Sequence, residues 1–213
     1  MARSTKIEAL ATRERILDAA EQVFHAQGVG HTSLEDVAKA AALTRGAIYW
    51  HFKNKGDLFH AMAQRVKLPM ETMVQAGAEA SAADPLAQLR NTLIHILQES
   101  AGNPQSRRVF DIIFLKCEFV DPNDSILLRR RQSFHTAQRN FRRTLRNAIA
   151  KGQLPEDLDV ALAASALQAA VVGLINNWLF MPDQLDLGAQ APRLVDGVLD
   201  MVRYAPSMRA PSA

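Results

Sequence analysis

The spacing of apolar residues along the chain predicts helices throughout. From about Thr12 to Gln27, apolar residues recur every three or four positions and define one helical face. Gly28 follows directly, at the position where a left-handed residue commonly ends a helix. No stretch of the sequence alternates apolar and polar residues as a strand does. We therefore expect an all-α fold of about nine helices.

Two short helices are predicted next. Thr32 and Glu35 have the spacing of a capping box, which predicts that a helix begins there, and this helix should end near Ala41. Thr44 can cap the following helix, from Arg45 to His51, through its hydroxyl group. Two helices joined by so few residues are typical of a small helical domain.

A fourth helix is predicted from Asn54, which can cap it, to about Lys67. Pro69 should end this helix, because proline lacks the amide hydrogen that a helix interior requires. The pattern then changes to longer helices, which predicts a small domain at 1–67 and a larger one at 68–213. The longer helices are expected at about 84–102, 106–118, 125–151, 160–181 and 192–204, with Asp121-Pro122 after the second and Gly152 after the third.

The stretch from Leu34 to Phe52 has the pattern of a helix-turn-helix. Its apolar positions can close a small core and leave the outer face of the second short helix free to enter a major groove. On that face, Arg45 suits a guanine or a phosphate, since its guanidinium donates two parallel hydrogen bonds. Hydroxyl and imidazole groups suit phosphate oxygens. The outer face carries Thr44, Arg45, Gly46, Tyr49, Trp50 and His51.

The excess of positive charge lies in the part of the chain that contains this helix-turn-helix. Residues 1–67 contain ten Lys or Arg and seven Asp or Glu, whereas residues 68–213 contain fifteen of each. The whole excess of +3 therefore lies where a polyanion is expected to bind. An architectural DNA-binding protein is disfavoured, because so small an excess gives little affinity for DNA of arbitrary sequence.

Other function classes lack their usual signals. The six histidines show no metal-binding spacing, no glycine-rich loop suits a phosphate, and the sequence predicts neither an enzyme nor a metal or cofactor site. The single cysteine, Cys117, permits no disulfide within the chain and fits a reducing compartment. With no apolar signal core and no apolar run of about 20 residues, we expect a cytoplasmic protein that does not enter a membrane.

The stretch TRGAIYWHFKNKGDL, from Thr44 to Leu58, closely resembles the recognition helix and following turn of TetR-type transcriptional repressors. TRERILDAA, from Thr12 to Ala20, is similar to the first helix of that family. The resemblance extends over about residues 10–67, and Trp50 is typical of the branch that regulates multidrug efflux pumps. Weaker resemblances to the effector domain of this branch lie at 116–119, 129–132, 152–155 and 173–178.

This resemblance implies a homodimer that binds a palindromic operator in double-stranded DNA and has a C-terminal pocket for a small-molecule inducer. Together with the outer face of the second short helix, it gives a predicted set of DNA-binding residues. The set is Thr32, Ser33, Thr44, Arg45, Gly46, Ala47, Tyr49, Trp50, His51, Lys53 and Lys55.

An inducer pocket between helices needs apolar walls and a few polar groups. The candidate residues are Leu93, Ile96, Phe110, Ile113, Phe114, Cys117, Phe134, Gln138, Phe141, Val172, Asn176 and Asn177. The same apolar residues would serve equally as ordinary helix core. Asn176 stands out, because two adjacent asparagines in an apolar helix call for a polar partner.

The helix at 160–181 is apolar almost all round, so one of its faces can meet a second copy of the chain. Core packing within one chain is the alternative for about half of the residues concerned. The predicted dimer interface consists of Leu167, Val171, Leu174, Trp178, Leu194, Val198 and Met201.

The sequence thus predicts a dimeric repressor that a hydrophobic inducer releases from its operator and that controls multidrug efflux genes. The alternative is a TetR-type regulator of lipid or other metabolism with a metabolite or acyl ligand. A pocket that is apolar throughout would favour acyl chains, whereas aromatic surfaces in it would favour drugs.

Overall fold

The computed structural model describes residues 2–79, 81–118 and 124–211, with side chains from residue 6 onward. Within these ranges nine α-helices follow one another, as predicted, and one isolated backbone bridge joins Leu158 to Arg209. The helices are α1 (Ala2–Gln27), α2 (Leu34–Ala40), α3 (Arg45–His51), α4 (Lys55–Gly77), α5 (Pro85–Gly102), α6 (Pro104–Leu115), α7 (Ser125–Ala150), α8 (Val160–Phe180) and α9 (Leu187–Tyr204).

The chain forms two compact units. The first comprises residues 1–67 and 108–130, and the second comprises residues 68–107 and 131–213. Segment 108–130 thus belongs with the N-terminal helices, an arrangement absent from the predicted domains 1–67 and 68–213. Helices α4, α6 and α7 each contribute residues to both units.

The first helix begins at Ala2, ten residues before the predicted start at Thr12. Its early turns contain Ile7 and Leu10, but these are 61% and 56% exposed and form no buried face. Helix-forming residues extend the helix there without support from a core. Gly28 ends α1 with a φ of +82°, which confirms the predicted left-handed residue.

The capping box predicted at Thr32 and Glu35 is wrong by one residue. Ser33 caps α2: its Oγ accepts a hydrogen bond from Asp36 N at 3.2 Å, and Asp36 Oδ2 accepts one from Ser33 N at 2.9 Å. The Thr32 hydroxyl instead donates to Gly28 O at 2.7 Å. Both threonine and serine are good cap residues, and the hydrogen bond of Thr32 to Gly28 O, four residues earlier, leaves Ser33 as the cap.

Helix α4 does not end at Pro69 as predicted but continues to Gly77. A proline removes one backbone hydrogen bond, and apolar burial on both sides offsets this loss. Val66 and Met70, which flank Pro69, are only 6% and 7% exposed. Thr72 adds a side-chain hydrogen bond within the helix, from its Oγ1 to Leu68 O at 2.8 Å.

Helix α9 begins at Leu187 rather than at the predicted Pro192. Asp186 caps it by accepting a hydrogen bond from Ala189 N at 3.0 Å. Leu187 and Ala191 are fully buried, so packing stabilises the turn that precedes the proline.

Other predicted helix ends agree more closely with the structure. Asp84 caps α5 through Ala87 N at 2.9 Å, and Gly152, with a φ of +68°, follows α7. Helix α6 is displaced toward the N-terminus, from the predicted 106–118 to Pro104–Leu115. The predicted break at Asp121-Pro122 lies outside the described residues.

The second unit is built around the packing of α5 against α9. Arg90 joins these two helices by donating to both carboxylate oxygens of Asp196, with Nη2 2.9 Å from Oδ2. Helix α8 is long and apolar enough to cross a membrane by length and composition alone, a test that buried core helices also pass. Leu162, Val172 and Phe180 on α8 are 44%, 39% and 72% exposed, so the described residues of the protomer leave part of its apolar surface uncovered.

Gly28 and Ala42 both have a positive φ, so exchanging glycine and alanine at these two positions should change the free energy of unfolding in opposite directions. Gly28→Ala should lower the free energy of unfolding by about 1 kcal/mol, because a Cβ disfavours the left-handed region. Ala42 already has a φ of 52°, so Ala42→Gly should raise the free energy of unfolding by up to about 1 kcal/mol. Denaturant unfolding measures both changes.

Gly30→Ala is the matched control, because a Cβ there would meet no atom within 4 Å. Its effect should stay within about 0.5 kcal/mol of the parent. A Gly28→Ala variant as stable as Gly30→Ala would contradict the assignment of strain.

Candidate nucleic-acid interface

The inner face of α3 anchors it to the helix-turn-helix core. Ile48 is fully buried and Phe52, at the C-terminal cap of α3, is 3% exposed. Helix α1 contributes two arginines: Arg15 Nη2 donates to Ala41 O at 2.8 Å, and the Arg13 guanidinium lies 5.2 Å from the centre of the Phe52 ring. These contacts fix both the turn and the end of α3, and they leave its outer face free.

The outer face of α3 exposes large side chains. Tyr49 and Trp50 are 47% and 73% exposed, and the Arg45 guanidinium lies 5.4 Å from the centre of the Tyr49 ring. This cation–π contact orients Arg45 along the helix. Thr44 caps α3 by accepting from Ala47 N at 3.3 Å, as predicted, and both Thr44 and Gly46 are exposed. Exposed aromatic residues beside an arginine are typical of a binding surface.

His51 occupies the last turn of α3 and is half-buried. The Trp50 ring meets it edge-on with centres 4.5 Å apart. Burial, and secondly the positive charge of Arg13, lower the pKa of His51 below its usual value. The imidazole is therefore neutral at pH 7 and retains one N–H that can donate to a phosphate.

Lys53 and Lys55 differ in their surroundings. Lys53 is exposed. Lys55 directs its Nζ to the loop after α1 and donates to Val29 O at 2.7 Å and to Gly30 O at 3.1 Å. Lysine has three N–H groups, so one remains for a phosphate. In this arrangement Lys55 also determines where the loop lies.

Three other predicted DNA contacts flank this surface. Thr32 is 3% exposed, with its hydroxyl bound to Gly28 O, so this side chain faces the protein interior. Ser33 is exposed, and its hydrogen bonds to Asp36 lower the pKa of that carboxyl group. Ala47 is half-buried on α3. The roles of these residues in DNA binding stay predictions.

Within the first unit, α6 is bound to α1 by charged groups that the sequence did not single out. Arg108 Nε donates to Glu21 Oε1 at 2.8 Å, and Glu21 is 3% exposed. Lys116 Nζ donates to His25 O at 2.6 Å, and Asp111 lies 3.3 Å from Lys116 and 3.2 Å from His25. Glu21 lies on an apolar face of α1, and this position was the available signal in the sequence for a partner of opposite charge, because buried charges are normally paired.

The first turn of α7 lies against the start of α4 in the same unit. Arg129 Nη2 donates to Asp57 Oδ1 at 2.6 Å, which lowers the pKa of Asp57. Gly56 allows the approach, since a Cβ there would lie 2.1 Å from Ser125 Oγ. Helices α6 and α7 are thus attached to the same unit as the recognition helix.

The residues predicted for an inducer pocket divide between the two units. Four lie in the first unit, where Phe110 and Phe114 stack with ring centres 6.0 Å apart. The Arg130 guanidinium lies 5.3 Å from the centre of Phe114, and Ile113 O accepts from Arg130 Nη1 at 3.1 Å. Burial raises the pKa of Cys117 to about 11, so the group is a thiol at pH 7.

The other eight pocket candidates lie in the second unit. Four are buried, at no more than 8% exposure, and four are half-buried or exposed. The buried ones are Leu93, Ile96, Gln138 and Phe141, and the others are Phe134, Val172, Asn176 and Asn177.

The predicted dimer residues also fall into two groups. Leu167 is fully buried within the protomer, and Trp178 is 7% exposed beneath the Arg107 guanidinium, 5.0 Å from its ring. These two side chains therefore belong to the protomer core. The remaining five are half-buried: Val171, Leu174, Leu194, Val198 and Met201.

Two family profiles match the chain. Residues 16–62 match the profile of bacterial regulatory proteins of the tetR family. Residues 84–204 match the C-terminal region of MAATS-type transcriptional repressors.

Individual relatives can be aligned with this chain over nearly its whole length. The transcriptional regulator TtgR of Pseudomonas putida is 39% identical over 209 residues, which are 98% of this chain and 100% of TtgR. Among solved structures, a complex of SmeT with triclosan has a TM-score of 0.83 at 33% identity, covering 95% of this chain and 96% of SmeT. NalD of Pseudomonas aeruginosa, a repressor of a multidrug efflux pump, has a TM-score of 0.81 at 31% identity, covering 93% and 98%.

The contacts of Lys55 predict a role in stability besides any role in DNA binding. Lys55→Met keeps most of the side-chain volume but removes two hydrogen bonds to backbone carbonyls. It should lower the free energy of unfolding by about 1–3 kcal/mol. Lys53→Met, at an exposed position, should change it by less than about 0.5 kcal/mol. Equal denaturation midpoints for the two variants would show that the loop contacts contribute nothing.

Proposed function

Because the chain belongs to the TetR family of bacterial regulatory proteins, we propose that it is a transcriptional repressor of multidrug efflux genes, bound as a homodimer to a palindromic operator and released by a hydrophobic small molecule. The outer face of α3 carries the proposal: Arg45, Tyr49 and Trp50 project from a helix whose opposite face is buried. The efflux role is supported by NalD and SmeT, both described as repressors of multidrug efflux pumps. Such a protein acts in the cytoplasm, where the DNA is.

On the operator, α3 lies in the major groove. Arg45 reads a guanine with its two parallel N–H donors, and Tyr49 presents its hydroxyl to a phosphate. His51 and Lys53 add phosphate contacts beside it. Lys55 acts mainly by holding the loop at Val29 and Gly30, with its third N–H available for the DNA backbone.

A second copy of the chain covers the apolar surface of α8. Large apolar side chains of this helix are exposed in the protomer, and Phe180 is 72% exposed. Apolar area of this extent normally belongs to an interface. The five half-buried residues of α8 and α9 form the remainder of this interface, which sets the distance between the two copies of α3.

Release follows from the continuity of three helices. Helices α4, α6 and α7 each have residues in both units, and within the first unit Lys116 and Arg129 attach α6 and α7 to His25 and Asp57. An inducer in the second unit that shifts these helices changes the separation of the two copies of α3. The two copies of α3 then no longer match operator half-sites about 34–36 Å apart. A coupling free energy of about 1–3 kcal/mol between inducer binding and operator binding suffices to weaken operator affinity roughly 5- to 150-fold.

The function is tested by fluorescence anisotropy with labelled DNA from upstream of the chain's own gene and of neighbouring efflux genes. We expect at least one fragment to bind far more tightly than random DNA of equal length at the same salt concentration. Triclosan and other hydrophobic drugs should weaken that binding at least about fivefold. Operator binding that no compound of such a panel changes would contradict control by an inducer.

The roles given to Arg45 and Tyr49 predict different effects on specificity. Arg45→Lys keeps the charge but loses the bidentate donor, so operator affinity should fall about 5- to 150-fold while affinity for random DNA stays nearly constant. Tyr49→Phe keeps the ring beneath Arg45 and removes the hydroxyl. It should weaken binding to operator and random DNA by the same factor, about three- to tenfold.

Anisotropy titrations on both DNAs separate the two effects. If Arg45→Lys weakened both equally, Arg45 would be a phosphate contact and not a base contact. A Tyr49→Phe effect confined to the operator would reverse the assignment for Tyr49.

A further inference from the structure

Gly46 is a glycine that the described part of the fold does not require. It lies in the first turn of α3 and has no positive φ, so its backbone conformation is open to any residue. It is exposed, and a Cβ built on it would meet only Thr44 Oγ1, at 4.0 Å, among the described residues outside its own helix backbone and chain neighbours. At Gly56, by contrast, a Cβ would lie 2.1 Å from Ser125 Oγ, so packing requires that glycine.

Glycine is also an unfavourable residue at this position. Inside a helix it is less favourable than any residue except proline, because its backbone loses the most conformational freedom on folding. Helix α3 has only seven residues, and an alanine at position 46 would favour it and fit the open space. The missing side chain therefore matters outside the chain, on the face of α3 that we assign to the major groove.

Trp50 borders the space that Gly46 leaves open. Residues four apart share one helical face, with Cβ atoms about 5–6 Å apart, and helical side chains lean toward the preceding turn. No atom of Trp50 comes within 4 Å of a Cβ built on Gly46, so a gap separates the two residues. The ring of His51, with its centre 4.5 Å from that of the indole, meets the indole edge-on and restricts its movement. We call this gap the Gly46 notch.

The chemistry of the Gly46 notch suits a small apolar group. Its wall is the indole of Trp50, which is 73% exposed, and its floor is a residue without a side chain. In the major groove, the methyl group at C5 of thymine is the apolar group that a base presents. This methyl group has the size of the Cβ that Gly46 lacks, so the notch accommodates one or the other but not both.

We propose that Gly46 is a specificity-determining residue of the recognition helix: its notch receives the C5-methyl group of a thymine in each operator half-site, against the indole of Trp50. The inference rests on the proposed function, because it takes the outer face of α3 as the surface that enters the major groove. It adds to the operator a requirement for thymine that is separate from the guanine contact of Arg45. The methyl group also covers part of an indole that is otherwise exposed.

The test uses the full-length protein and the upstream fragment that it binds most tightly, made once with thymine and once with uracil, which lacks only the C5-methyl group. Anisotropy titrations give the ratio of the two dissociation constants for the parent and for Gly46→Ala. One buried methyl group corresponds to about a fourfold change in affinity, so the parent, on two half-sites, should prefer the thymine form about tenfold or more.

In Gly46→Ala the added Cβ occupies the notch. The affinity for the thymine form should fall at least about tenfold, because the methyl group and the Cβ compete for one space. The affinity for the uracil form should stay within about threefold of the parent value, so the preference should fall to about threefold or less. Uracil also alters the shape of the DNA, but this effect is the same for both proteins and cancels when their ratios are compared.

Gly102→Ala is the matched control. Gly102 is an exposed helical residue of the second unit, and a Cβ there would also meet no atom within 4 Å. This variant should bind both forms of the fragment as the parent does. The thermal midpoint of Gly46→Ala should be no lower than that of the parent, since alanine favours the helix. A lower midpoint would show that the fold needs this glycine and would overturn the inference.

Equal binding of both forms by the parent, a preference that survives Gly46→Ala, or an equal loss of affinity for both forms would each overturn the inference. Trp50→Ala should also reduce the preference, and an unchanged preference would remove Trp50 from the notch. If no fragment binds more tightly than random DNA, the proposed function fails and the inference with it. An operator that hydrophobic drugs release, but whose thymine preference does not depend on residue 46, would leave the proposed function standing and show the inference to be wrong.

Discussion

The backbone after α1 exchanges hydrogen bonds with two residues that are far away in the sequence. Lys55, at the start of α4, donates to Val29 O and Gly30 O, and Val29 N donates at 3.0 Å to the carbonyl oxygen of Lys116, which directly follows α6. Gly28 makes this possible, because its left-handed φ turns the chain toward both partners. The position of α2 and α3 depends on this loop, so the DNA-contacting surface depends on α4 and α6 as well. A shift of either helix reaches the recognition helix through hydrogen bonds of normal length.

Helix α8 combines an apolar outer surface with a polar residue on its inner face. Its exposed apolar side chains suit a second copy of the chain, which calls for a uniformly apolar surface. Its interior face carries Gln168, which together with Ala164 O orients the amide of Gln138.

Local patterns predicted most helices because the signals involved act over one or two turns. Caps at Thr44, Asn54 and Asp84 were found correctly, since each oxygen bonds an amide three residues on. The helix boundaries predicted at Pro69 and Pro192 were wrong because the rule behind them is also local. Pro69 and Pro192 are local helix breakers, but burial of the neighbouring turns outweighs one lost hydrogen bond, and burial cannot be seen in a short window.

The sequence by itself determined the all-α fold, the helix-turn-helix and the outer face of α3, because a 3.6-residue repeat and a contiguous motif are local properties. Only the tertiary structure decided that 108–130 belongs with the first unit and that Lys55 is bound to a loop 25 residues away. Each of these depends on which distant groups come within hydrogen-bonding distance, and packing of the whole chain determines that.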